Sequence, residues 1–223
     1  MLQGGFGTGG AGKIMAAIAA HRHAQGDEVQ VAGMFMPPAG PFFHYPPDVR
    51  LHLLADGARP DKLLHLRRLA AIRGLIRRVQ PDVTLSFLTK VNCLTLLAAR
   101  GTGVPVVISE RNNPLMQSPG FWNRAQQVLA HGAAGIVMQT RGQHDDLSPA
   151  LQERAVVIPN FCDAVPFRRA SPGPDCHFVA AGRLDRQKGF DLLIRAFARV
   201  PHLGARLTIF GEGPERAPLE NLV

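Results

Sequence analysis

Two cations five residues apart are the first chemistry this sequence offers. Arg183 and Lys188 stand in Gly182-Arg183-Leu184-Asp185-Arg186-Gln187-Lys188-Gly189-Phe190, a loop bounded by glycines. The apolar run 177–181 precedes it and an amphipathic run from Phe190 follows, so the loop joins a strand to a helix. Open α/β sheets bind ligands at the carboxyl ends of parallel strands. Arginine forks onto phosphate oxygens and lysine adds a compact charge. That pair suits a diphosphate, including one that departs as a leaving group. The competing reading is two ordinary solvated loop charges.

A second loop is glycine-rich, from Gly4 to Gly12. It fits GxGxxG twice and most of a Walker A pattern, as Gly7-x4-Gly12-Lys13. Such loops bring backbone N–H groups to phosphate at a helix N-terminus. A P-loop also needs Ser or Thr after the lysine for Mg²⁺, and Ile14 is there. A dinucleotide fold needs an acid about 20 residues on, and Val31-Ala32-Gly33-Met34-Phe35 holds none. What survives is an open turn facing something anionic or bulky, or one that simply needs glycine.

The elements that must carry these loops alternate. Helices are expected over 13–25, 61–80, 92–100, 121–131, near 142–151 and over 190–200. Strands are expected over 29–35, 49–54, 83–88, 105–109, 135–139, 156–159, 177–181 and 206–210. The first strand is reduced to a stub before Gly4. Alternation of this kind predicts a parallel sheet with helices on both faces. Residues 168–175 contain Pro172, Gly173 and Pro174 and read as a linker. The expected organisation is therefore an α/β domain over 1–167 and the start of a second over 176–223.

Composition removes other classes. The chain has 223 residues, 46% hydrophobic, with no apolar run long enough to span a bilayer. A net charge of +8 comes from 25 basic residues, of which only Lys13, Lys62, Lys90 and Lys188 are lysines. The densest group is Arg67, Arg68, Arg73, Arg77 and Arg78, on an amphipathic helix. It reads as a solvated face, or as one drawn to anionic lipid or phosphate-bearing substrates. One Tyr and one Trp leave no basic–aromatic interleaving, so no nucleic-acid partner is expected. Cys93, Cys162 and Cys176 form no CxxC pair, which points to a reduced, cytoplasmic setting without a zinc site. No Asp-x-Asp triplet is present, so no metal cofactor is expected. Phe42, Phe43, His44 and Tyr45 could clamp an acceptor or be buried under their Pro-rich loop.

The stretch from Ala180 to Phe197, followed by Leu207-Thr208-Ile209-Phe210-Gly211-Glu212-Gly213-Pro214-Glu215, closely resembles the nucleotide-sugar-binding half of GT-B glycosyltransferases, the retaining group called family 4. The N-terminal glycine loop resembles that family's acceptor-domain loop. The stretch from Val157 to Asp163 resembles the lead into its second domain.

The resemblance implies a GT-B fold of two Rossmann-like domains. It implies retaining transfer of a sugar from a nucleotide-diphosphate sugar to a glycan, polysaccharide or lipid-linked acceptor. Arg183 and Lys188 would hold the diphosphate, with Gly182 beside them. Gly211, Glu212, Gly213 and Pro214 would line the base and ribose pocket, and Gly9 and Gly10 would lie near the transferred sugar and diphosphate. Where the family usually has a histidine, this chain has Ser109-Glu110-Arg111-Asn112-Asn113-Pro114. Glu110, Arg111 and Asn112 are thus candidate acceptor contacts. The family's Glu-x7-Glu segment is expected beyond Val223, so the chain reads as truncated at both ends, a poor binder of donor and inactive in transfer. Two other readings remain: a non-catalytic module for anionic glycans or lipids, and a P-loop-like nucleotide-binding protein. Contact with the cytoplasmic face of an anionic membrane is expected through the arginine face.

Overall fold

The computed structural model describes residues 1–54, 64–111, 120–162, 176–199 and 204–223. The chain divides into two compact units, Met1–Asp163 and Ala164–Val223. The expected linker, 168–175, lies outside the described residues.

In the first unit, strands β1 (Leu2–Gln3), β2 (Gln30–Gly33), β3 (Arg50–Leu53), β4 (Thr84–Phe87), β5 (Val106–Ser109), β6 (Gly135–Met138) and β7 (Ala155–Val157) form one parallel sheet. Their order is β3-β2-β1-β4-β5-β6-β7. The stub is thus an interior strand of the sheet: Leu2 pairs with Ala32 on one side and Ser86 on the other. The order reverses between β1 and β4, and a reversal of this kind opens a crevice beyond the strand ends.

Side chains alternate across the strands, so each face gets its own core. Val31, Phe87 and Phe6 pack with Ile14, Met15 and Ala19 of α1 (Gly10–Ala24). On the other face Ala32, Ile108 and Ile136 pack with Ile72 and Ile76 of α2 (Leu64–Val79) and Leu94 of α3 (Thr89–Ala99). Helix α4 (Phe121–Leu129) lies against α3 and runs into a 3₁₀ turn, Ala130–Gly132.

Several details differ from expectation. Helix α1 starts at Gly10, because Gly9 holds extended backbone at the cap and the first turn tolerates glycine. The helix expected near 142–151 is two short ones, α5 (Arg141–Asp145) and α6 (Pro149–Gln152), since Pro149 can begin a helix and not continue one. Arg73 does not serve the solvated face: its Nη1 donates to the carbonyls of Ala98 and Arg100 at 2.8 and 2.7 Å, at the end of α3. Arg67, Arg77 and Arg78 are exposed.

The second unit has parallel strands β8 (His177–Ala181) and β9 (Arg206–Phe210) with α7 (Phe190–Phe197) and the short α8 (Arg216–Glu220). Leu184, Phe190 and Leu219 form its core. No helix among the described residues is long and apolar enough to cross a membrane.

Candidate functional site

The second unit's loops are a single structure. The β8 and β9 pairing runs on past the strands: the N–H of Gly182 donates to the Phe210 carbonyl at 2.9 Å, Leu184 to Glu212 at 2.9 Å, and Glu215 to Leu184 at 3.0 Å. This approach leaves no room for side chains. A Cβ on Gly211 would run into the Gly182 carbonyl, and one on Gly213 into the Leu184 carbonyl. A Cβ on Gly182 would stand 3.2 Å from the Phe190 ring, which is buried beneath it. So Gly182, Gly211 and Gly213 are set by the meeting of the two loops.

Arg183, Lys188, Glu212 and Pro214 are all exposed around this junction. Arg183 pairs through Nε with Asp185 Oδ2. Asp185 has extended backbone, and two residues apart in extended chain lie on one side. Asp185 aims the guanidinium and is a residue that the sequence reading left without a role; the i, i+2 spacing is the signal that could have found it. Lys188 ends a 3₁₀ turn, Arg186–Lys188, that Gly189 closes at φ +64° as the cap of α7. That left-handed backbone is what glycine permits there. Glu212 is also engaged, accepting from Arg216 Nη1, whose Nε donates to Glu220 at 2.9 Å. A cavity of about 380 Å³ in this unit is lined by Leu184, Ile194, Phe197, Leu207, Ile209 and Leu219 among others, and by neither Arg183 nor Lys188.

In the first unit, the glycine loop follows β1 at the switch point. Its glycines are of two kinds. A Cβ at Gly5 would stand 3.0 Å from Phe35, one at Gly33 2.6 Å from the Phe6 ring, and one at Gly12 3.3 Å from the Gly7 carbonyl. Those are required by packing. Gly7, Gly9 and Gly10 face open space within 4 Å, and Gly9 and Gly10 are exposed at the start of α1. Ile14 is buried in the α1 core, and Lys13 Nζ lies 6.0 Å from the Phe161 ring centroid. The position after Lys13, where a P-loop carries its Mg²⁺-binding hydroxyl, is thus a buried aliphatic side chain. Of the aromatic group, Tyr45 is buried and accepts from Gln3 Nε2 at 3.0 Å, while Phe42 is exposed and edge-on to Phe43.

Glu110 is a surprise. It is 1% exposed at the end of β5. Its Oε2 accepts from Thr89 Oγ1 at 2.8 Å and Gln126 Nε2 at 2.9 Å, and its Oε1 accepts from the Arg111 N–H at 2.9 Å. Gln126 in turn presents Oε1 to Asn92 Nδ2 at 3.2 Å, and that Nδ2 also reaches the Ser109 carbonyl. The carboxylate therefore faces inward, tying α3, α4 and β5 together, rather than outward toward an acceptor. A charge with this many donors is the form in which a buried carboxylate is tolerated. Its neighbour Arg111 is half-buried, with Cζ 4.0 Å from the Phe87 ring centroid and Nη1 donating to Asn160 Oδ1. Burial lowers the Arg111 pKa from 12.5 to about 10, with Glu110 acting the other way. Asn112 lies outside the described residues. Thr89, Asn92, Gln126 and Asn160 were not legible as site residues, since each is an ordinary polar residue far apart in sequence. Among the described residues, no group of three His, Cys, Asp or Glu side chains could hold a metal ion.

Comparison with known proteins follows this geometry. A family profile described as Glycosyl transferase 4-like domain matches residues 9–160, and one described as Glycosyl transferases group 1 matches residues 164–223. Sucrose-phosphate synthase from Thermosynechococcus elongatus matches at TM-score 0.78 and 15% identity, over 99% of this chain and 65% of that one. HepE from Anabaena, in complex with UDP and glucose, matches at 0.70 and 16%, over 99% and 64%. MurG from Acinetobacter baumannii matches at 0.54 and 19%, over 99% and 61%. The chain thus spans a little under two thirds of the length of these structures. Their likeness establishes the fold, which is of GT-B type. No curated protein matches the sequence.

Proposed function

From a chain that belongs to the glycosyl transferase 4-like family, we propose transfer of a sugar from a nucleotide-diphosphate donor to a glycan, polysaccharide or lipid-linked acceptor, with retention. The observation that carries this is the interlocked pair of loops in the second unit, which sets Arg183 and Lys188 exposed beside a glycine-lined junction.

Breaking the bond between sugar and phosphate builds negative charge on the departing diphosphate. Arg183, aimed by Asp185, and Lys188 are the groups that would stabilise it. Gly182 and the Gly211–Pro214 turn, held by the interlocked loops, would take the nucleoside. Charge from two side chains supports a reaction run without a metal ion. On the acceptor side, Gly9 and Gly10 would let the sugar approach the start of α1, where unpaired N–H groups favour oxyanions. Glu110 serves as a positioning residue for Arg111. Neighbours of the same fold are titled as complexes with UDP and with UDP-glucose, which supports a sugar nucleotide as donor. The exposed Arg67, Arg77 and Arg78 support work at the cytoplasmic face of an anionic membrane.

The test is donor binding. Titration of the chain with a panel of UDP-, GDP- and ADP-sugars should give saturable binding to at least one. That binding should weaken at least about tenfold in Arg183→Ala/Lys188→Ala, as expected for lost charged hydrogen bonds. Unchanged affinity in the double variant removes the assignment.

A further inference from the structure

The arginines of the first unit differ in what their donors meet. Arg73 saturates backbone carbonyls at the end of α3. Arg154 does the same with His131 and Ala133, at 3.0 and 3.3 Å. These are structural arginines that close orphan acceptors. Arg111 is different. Its guanidinium carbon lies 4.0 Å from the centroid of the Phe87 ring, over the ring. Among the described residues its Nη1 meets the uncharged Asn160 amide oxygen, and its Nε has no hydrogen-bond partner. The Nε, shielded from water, has no acceptor in return, a state that costs stability.

Its placement is held firmly. The Arg111 N–H is bound by Glu110, and the Glu110 N–H donates to the Val137 carbonyl at 3.1 Å. Phe87 is the last residue of β4 and fully buried, so the stacking platform does not move. Next to it Leu88 holds φ +77° and ψ +139°, a backbone region costly to any residue but glycine. Its N–H donates to the Ser109 carbonyl at 3.1 Å, fixing the edges of β4 and β5 to each other. The whole arrangement stands at the carboxyl edge of the sheet, beside the switch point.

We propose that Arg111 binds an oxyanion, a phosphate or a carboxylate, carried by the acceptor. A charged oxygen is a stronger acceptor than the Asn160 amide, and the paired oxygens of a carboxylate or phosphate match the guanidinium fork. The inference rests on the glycosyltransferase reading above and narrows its acceptor to anionic molecules.

Trp122, the one tryptophan of the chain, lies in the first unit. It lies on α4 one turn before Gln126, which binds Glu110. In the Arg183→Ala/Lys188→Ala protein at fixed ionic strength, Trp122 emission is titrated with glycerol phosphate and, separately, with glucuronate. A saturable response to either probe is expected, weakened at least about tenfold by adding Arg111→Gln. Response to glycerol phosphate alone assigns a phosphate, and to glucuronate alone a carboxylate. No saturable response to either, or equal affinity in Arg111→Gln, overturns the proposal. Circular dichroism checks that the variant folds. Where it does not, Arg111→Lys decides: the lysine keeps charge and loses the fork, so several-fold weakening is expected and equal affinity refutes. The donor reading fails separately, when nucleotide-sugar binding survives the double substitution.

Discussion

The Leu184 N–H donates to the Glu212 carbonyl at 2.9 Å, and this bond joins the loop after β8 to the loop after β9. Because the backbones meet this closely, the glycines on either side have no freedom to change.

Gly213→Ala is the direct consequence. Its Cβ meets backbone at Leu184, which cannot yield as a flexible side chain would. The second unit should lose about 1–3 kcal/mol, an overpacking cost. Urea denaturation followed by amide exchange in β8 and β9 reads the loss, and a midpoint equal to the parent's contradicts the interlock.

Gly10→Ala should behave in the opposite way. Its Cβ meets open space and its place is the first turn of α1. Stability should hold or rise by up to about 1 kcal/mol, since alanine is the better helix former. If sugar or phosphate approaches that turn, ligand affinity falls while stability does not, and thermal melts beside donor and acceptor titrations separate the two effects.

Glu110→Gln should destabilise the first unit by about 1–3 kcal/mol, although the shape is kept. The carboxylate accepts on both oxygens, from Thr89 and Gln126 on one and from the Arg111 N–H on the other. Whichever way a glutamine amide turns, its NH2 faces a donor. A double-mutant cycle with Gln126→Ala should show coupling, and simple additivity would argue against the network.

Cys93 gives a pH dependence. Burial raises its pKa from 9.0 to about 11, with Glu110 adding in the same direction. A group raised in the folded state contributes stability that is complete below pH 9 and lost as the pH climbs through 11, because the unfolded chain releases that proton first. Cys93→Ser removes this dependence, and a matching slope in the variant would contradict it. At pH 8 a thiol reagent should modify exposed Cys162 and Cys176 quickly and Cys93 only on unfolding.

Much of this was legible in the sequence. Strand and helix alternation gave the parallel sheet because buried strands read as apolar runs and helices as 3.6-residue stripes. Leu2–Gln3 was legible only as a stub, since two residues carry no periodicity, yet pairing on both sides makes it an interior strand. Arg183, Lys188 and the glycines around them stood out because loop chemistry is local. Glu110 stands in the sequence only as a candidate acceptor contact. Its inward course depends on Thr89 and Gln126, which only the fold brings to it.

The measurement that bears most directly on the account is calorimetric titration of nucleoside diphosphates into the chain and into Arg183→Ala/Lys188→Ala. The account predicts saturable binding in the parent, at least about tenfold weaker in the double variant, with the unfolding midpoint unchanged. Equal affinity in the two proteins would contradict it.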